Sequence, residues 1–203
     1  MISWIVASHR PDVLAGNLAA TLRLETGDEL VVVEDPPSIA VAYNQGQAKA
    51  VNSLRVYVHS DVRILDAQTL RRRLLDCASG NVGMVGLVGS RTPALPWWSG
   101  DGCGSVLDGR LGAIDFGAGG PCAYLDGLLL ATRQQVDWDE SYPGFHWYDH
   151  DACQQMLSRG LRNRCLTGGT RLVLHNTGNS TDTSRLDGWD EGMARFRQKW
   201  STP

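Results

Sequence analysis

Three short apolar runs, at residues 2–7, 29–34 and 54–58, alternate with two stretches of helical spacing at 13–24 and 38–51. This order restricts the chain more than any other feature. Strands joined through helices lie parallel, and their crossovers are right-handed. The expectation is an α/β fold: a mostly parallel, doubly wound sheet flanked by helices, in a single compact domain over residues 1–203. The punctuation agrees. Asp12 is a candidate helix cap, Gly27-Asp28 breaks the first helix, and Pro36-Pro37 forbids helix directly after the second strand.

Further along, residues 66–78 are amphipathic, with Leu70, Leu74 and Leu75 inward and Arg71, Arg72 and Arg73 mostly outward. Residues 81–89, 124–132 and 172–174 read as strands, and 149–159 and 189–200 as helices. Residues 91–120 show no periodicity and many glycines. They read as a long loop that closes over a ligand.

Composition excludes several classes. A net charge of −3 gives no general polyanion-binding surface, so nucleic acid is not expected as a partner. No run approaches the roughly 18 apolar residues of a membrane helix. The N-terminus lacks the basic start of a signal peptide, and a cytoplasmic location is expected. Cys77, Cys103, Cys122, Cys153 and Cys165 lack close pairing in sequence. They read as free thiols in a reducing compartment, not as a zinc site or disulfide framework.

The chemistry concentrates where strands end. Residues 54–58 run into His59-Ser60-Asp61, and residues 29–34 end in Glu34-Asp35. In open α/β sheets ligands bind at the carboxyl ends of the strands. An acid there can hold a divalent cation, which in turn can hold a diphosphate. An acidic and aromatic cluster, Phe145-His146-Trp147-Tyr148-Asp149-His150-Asp151, opens a later helix.

Four motifs occur in order: Tyr43-Asn44-Gln45-Gly46, His59-Ser60-Asp61-Val62, Leu125-Asp126-Gly127 and His146-Trp147-Tyr148-Asp149-His150-Asp151. As an ordered set they resemble the nucleotide-sugar glycosyltransferases of the GT-A fold, most closely small bacterial family-two-like members. The likeness covers roughly residues 2–175. It implies a nucleotide-binding half over residues 1–90 and an acceptor-binding, catalytic half over 91–203.

The resemblance also implies roles. Asp61 matches the last acid of the family's DxD motif, and His59 stands where the first acid would be. His59 reads equally as a packed strand-end histidine. His175, on a late strand, would complete the shell of a Mn²⁺ or Mg²⁺ ion, and an imidazole suits Mn²⁺ better. Asp149 would be the base of an inverting transfer. Asp151, two residues on, points elsewhere on a helix, and either acid could instead cap it. Ser8, His9, Arg10, Glu34, Asp35, Asn44 and Ser60 would serve the nucleotide, a UDP-sugar being favoured. Trp97, Trp98, Asp126, His146 and Asp151 would serve the sugar or the acceptor, which could be a small molecule, a glycan or a lipid-linked sugar. Turn and cap chemistry accounts for several of these acids as well. Two alternatives stay open: a nucleotide- or sugar-binding module without catalysis, and a nucleotidyltransferase on a similar sheet. The second would want a glycine-rich loop after the first strand, and residues 8–12 contain no glycine.

Overall fold

The structure is a computed structural model, and it describes residues 1–177 and 188–201. The first half runs β1 (Ile2–Ser8), α1 (Pro11–Gly16), α2 (Leu18–Thr21), β2 (Glu29–Glu34), α3 (Ile39–Lys49), β3 (Leu54–Val58), β4 (Val62–Ile64), α4 (Ala67–Cys77), β5 (Val82–Gly86) and β6 (Val88–Ser90). The second half runs β7 (Gly102–Asp108), β8 (Gly112–Asp115), β9 (Gly120–Cys122), β10 (Tyr124–Leu125), β11 (Leu129–Thr132), α5 (Tyr148–Ser158), β12 (Arg162–Cys165), β13 (Val173–His175) and α6 (Trp189–Trp200).

The helices start where local chemistry can satisfy their free amides. Ser38 Oγ accepts from Val41 N at 3.2 Å, and Asp66 Oδ1 accepts from Thr69 N at 3.0 Å. The single helix expected over 13–24 is two short ones, divided at Asn17. Asp12 lies within the first turn of α1 and Pro11 begins it, so Asp12 is not the cap.

The larger sheet has the order β2-β1-β3-β11-β5-β12-β9. β2, β1 and β3 are parallel, as the strand-helix alternation requires. β11 then enters antiparallel between β3 and β5, so the sheet becomes mixed. The run expected as one strand over 124–132 is β10 and β11, with the Asp126-Gly127 turn between them. A second sheet has the order β10-β6-β7-β13-β4, with β8 on β7. The segment 91–120 is therefore not an aperiodic loop. A 3-10 turn at Trp97–Ser99 and strands β7, β8 and β9 occupy much of it, and Cys103 and Val106 are buried. Two of its glycines serve tight backbone contacts: a Cβ at Gly104 would lie 2.1 Å from the Leu87 carbonyl oxygen, and one at Gly119 2.4 Å from the Cys165 carbonyl oxygen.

Two relationships position the functional groups. Leu129 pairs with Val58, so β11 begins at the carboxyl end of β3 and brings the Asp126-Gly127 turn to it. His175 on β13 pairs with Val62 on β4, and Asn176 N donates to Asp61 O at 2.9 Å. Beneath that edge, Tyr43, Tyr57 and Trp138 form a fully packed aromatic triangle with centroids 4.7 to 4.9 Å apart. Such contacts contribute about 0.5–1.5 kcal/mol each beyond area burial. Among the described residues no helix is long and apolar enough to cross a membrane.

Candidate active site

A cavity of about 1290 Å³ opens at the carboxyl edge of β1 and β3. It exceeds the roughly 300–1,000 Å³ usual for a small-ligand pocket, so it has room for two substrates. Its polar wall is built from four segments. The end of β1 supplies His9 and Arg10, the end of β3 supplies His59, Ser60 and Asp61, the β11 turn supplies Asp126, and α5 supplies Asp149. His146 and His175 complete it, and Trp97 and Trp98 also line the cavity.

His59, Asp61 and His175 each offer one ligand atom, and these atoms lie within 4.8 Å of one another. His175 Nε2 is 3.4 Å from Asp61 Oδ1, and its Nδ1 is 3.9 Å from Asp108 Oδ2. Burial pushes the Asp61 carboxyl up, but the hydrogen bond and charge of His175, with His59 adding, hold it down at about 2. Burial likewise opposes charge on His175, and Asp61, with Asp126 and Asp108, outweighs it and raises the imidazole. Burial lowers His59, favouring the neutral ring that a ligand must present. Two imidazoles and one ionised carboxylate on a half-buried wall fit a divalent cation of the Mn²⁺ kind better than Mg²⁺, which prefers oxygen.

Asp149 is the best-organised acid. Oδ2 accepts from Gly127 N at 3.0 Å, and Oδ1 accepts from His150 N at 2.8 Å and lies 2.9 Å from His150 Nδ1. Burial would raise its pKa, but His150 and these amide hydrogen bonds lower it below the ordinary carboxylate value. Asp126 is pushed the other way, by burial and then by the Asp149 charge. The two acids lining one wall thus differ in protonation preference, an arrangement typical of acid-base sites. Tyr148 Oη lies 2.7 Å from His59 Nε2 and links the Asp149 helix to the strand-end cluster. Trp147, just before this helix, has φ +68°, a strained conformation for a bulky residue.

Several expected residues lie elsewhere. Asp151 is buried, does not line the cavity and does not cap α5. It accepts from Tyr142 Oη at 3.1 Å, Gln155 Nε2 at 2.8 Å and Trp200 Nε1 at 2.8 Å, and pairs with Lys199 at 2.9 Å. It ties α5 to α6. Asn44 donates to Trp138 O and Glu140 Oε1 and does not line the cavity. Ser8, the last residue of β1, is buried, Glu34 and Asp35 are exposed, and none of the three lines the cavity. Asp35 touches the site only through His9, 3.4 Å away.

Other residues gain importance. His150 was legible only as one letter of its motif. Tyr43 lines the cavity, and its buried hydroxyl finds no partner among the described residues. Asp108, on β7, reaches the site only because β13 pairs with β7 in parallel, a contact that no sequence signal marks.

The sequence of residues 17–196 matches a family described as a glycosyltransferase-like family. No curated protein matches in sequence. Among solved structures, the mannosyltransferase PcManGT from Pyrobaculum calidifontis, determined in complex with GDP-Man and Mn²⁺, is similar at a TM-score of 0.60 and 14% identity. The similarity covers 97% of this chain and 64% of that one. A crystal structure of a protein from STIV is similar at a TM-score of 0.46 and 11% identity, over 84% of this chain and 82% of that one. The fold is that of the GT-A glycosyltransferases.

Proposed function

The chain belongs to the glycosyltransferase-like family, and on that premise we propose that it transfers a sugar from a nucleotide sugar, UDP-sugars favoured, to an acceptor hydroxyl with inversion. The observation that carries this reading is that one cavity is lined both by the cluster His59, Asp61 and His175 and by Asp149.

His59, Asp61 and His175 would hold a Mn²⁺ ion, which neutralises charge on the departing diphosphate. Asp149 acts as the base. Its Oδ1 is occupied by two groups of His150, whereas Oδ2 accepts one amide and keeps a position open for the acceptor's proton. Tyr43 offers its unpartnered hydroxyl to the bound donor. His9, Arg10 and Ser60 line the nucleotide side, Asp126 and His146 the sugar, and Trp98, half exposed, offers a plane for an acceptor ring. Residues 1–90 thus serve chiefly the donor, and 91–203 the acceptor. The five free thiols suit a reducing, cytoplasmic setting.

The decisive experiment is a thermal-shift screen with UDP-, GDP-, dTDP- and CMP-sugars, with and without Mn²⁺, followed by product detection with the best donor. A Mn²⁺-dependent shift and transfer with inverted configuration are expected. Binding without turnover over a broad acceptor set would leave a binding module, and absence of any nucleotide-induced shift would overturn the reading.

A further inference from the structure

Three of the five cysteines meet away from the catalytic cavity. Cys103 comes from β7, Cys122 from the end of β9 and Cys165 from the end of β12. Their sulfur atoms lie within 4.8 Å of one another, and all three side chains are buried. None lines the cavity. Cys103 and Cys165 Sγ are 3.1 Å apart, and Cys165 Sγ is 3.5 Å from the Cys103 carbonyl oxygen. We propose that Cys103, Cys122 and Cys165 form a binding site for a thiophilic metal ion of the Zn²⁺ class, which joins the protein's two sheets.

The chemistry of the donor set selects the ion. Three sulfurs with no carboxylate or imidazole in the group favour a soft or borderline cation over Mn²⁺, Mg²⁺ or Ca²⁺. A Zn–S bond of about 2.3 Å puts sulfurs on one ion roughly 3.8–4.0 Å apart, so the cluster needs only small side-chain shifts. Thiols are weak hydrogen-bonding groups, and three buried together satisfy one another poorly. Binding replaces the three S–H protons by metal–sulfur bonds. One Zn²⁺ enters, three protons leave, and no redox change occurs. β7 belongs to the six-stranded sheet and β9 and β12 to the seven-stranded one. An ion here therefore closes a connection between sheets that are otherwise joined by packing and chain continuity.

This site is independent of the sugar-transfer reading, and its test can be kept separate. The reduced, metal-stripped protein is titrated with Co²⁺, whose sulfur-to-metal charge-transfer absorption reports thiolate ligands alone, and then with Zn²⁺. One equivalent of Co²⁺ producing the band, Zn²⁺ abolishing it, and a raised Tm are expected. The band should persist in Asp61→Ala, which disables the other metal site, and in Cys77→Ser, and be lost in Cys122→Ser. Should Cys122→Ser fold poorly, alkylation mass spectrometry of the wild-type chain decides: Zn²⁺ should protect Cys103, Cys122 and Cys165 but not Cys77. Absence of the band, its survival in folded Cys122→Ser, or equal alkylation of the three cysteines with and without Zn²⁺ overturns the proposal.

Discussion

Asp149 Oδ1 lies 2.9 Å from His150 Nδ1, while Nε2 of the same ring accepts the Trp97 amide at 3.2 Å. Because Nε2 accepts, the ring hydrogen sits on Nδ1 and is directed at the carboxylate. The backbone of one cavity wall thereby fixes the tautomer of His150, and His150 fixes the rotamer of Asp149. A base that must meet an acceptor hydroxyl at one position gains from such orientation.

Asp149→Asn keeps the shape of the side chain but cannot take a proton. It should lower kcat by about 10²–10⁴-fold and leave nucleotide affinity near the wild-type value. Steady-state kinetics beside calorimetric titration with nucleotide would check this. Wild-type turnover would remove the base from α5.

Asp61→Ala should abolish the Mn²⁺-dependent part of nucleotide binding. The loss should exceed the roughly 10–100-fold typical of outer-sphere partners, because a direct ligand goes. Calorimetry with UDP, with and without Mn²⁺, measures it, and an unchanged affinity in a folded mutant would take Asp61 out of the site.

Gly127→Ala tests the close approach of the β11 turn to α5. A Cβ there would lie 2.0 Å from Tyr148 Oη and 2.5 Å from its Cζ. Overpacking of this kind costs about 1–3 kcal/mol, so Tm should fall. Mn²⁺ affinity should weaken as well, since Tyr148 contacts His59. Thermal unfolding and Mn²⁺ titration of the variant check both effects, and wild-type values in each would refute the close approach.

Asp139 makes the attachment of α6 sensitive to acid. It pairs with Arg195 at 3.0 Å and Lys199 at 2.9 Å. Burial would raise its pKa, but Ser141, Lys199 and Arg195 hold it below its model-compound value of 3.8. A depressed folded-state value contributes stability above the unfolded pKa and loses it as pH falls through the folded one. Hydrogen exchange in α6 should therefore accelerate on acidification below about 3.8, and in Asp139→Asn it should already be fast at neutral pH and lack that acid step.

The early strands were legible because their apolar runs are short, β-branched and bounded by Gly, Pro and acids. Glu29–Glu34 and Leu54–Val58 fall where their residues predict. The cluster at Asp61 and Asp149 was legible through ordered motifs. The antiparallel entry of β11 was not, since a four-residue buried run carries no sign of direction. Residues 91–120 misled because glycine there permits close strand packing, which in sequence looks like a loop. Asp151 misled for a related reason. Its motif places it beside Asp149, yet one step of two residues turns it from the cavity to Lys199 and Trp200.

The insertion of β11 between β3 and β5 bears on how such a chain can be recombined. β3 is flanked by β1 from the first half of the sequence and by β11 from the second, in the register Leu129 to Val58. A chimera joined near residue 90 would cut no single element, but it would ask two unrelated backbones to share the central ladder of one sheet. The cavity rim can therefore be varied by its loops, whereas the halves on either side of residue 90 cannot be exchanged without rebuilding the sheet they share.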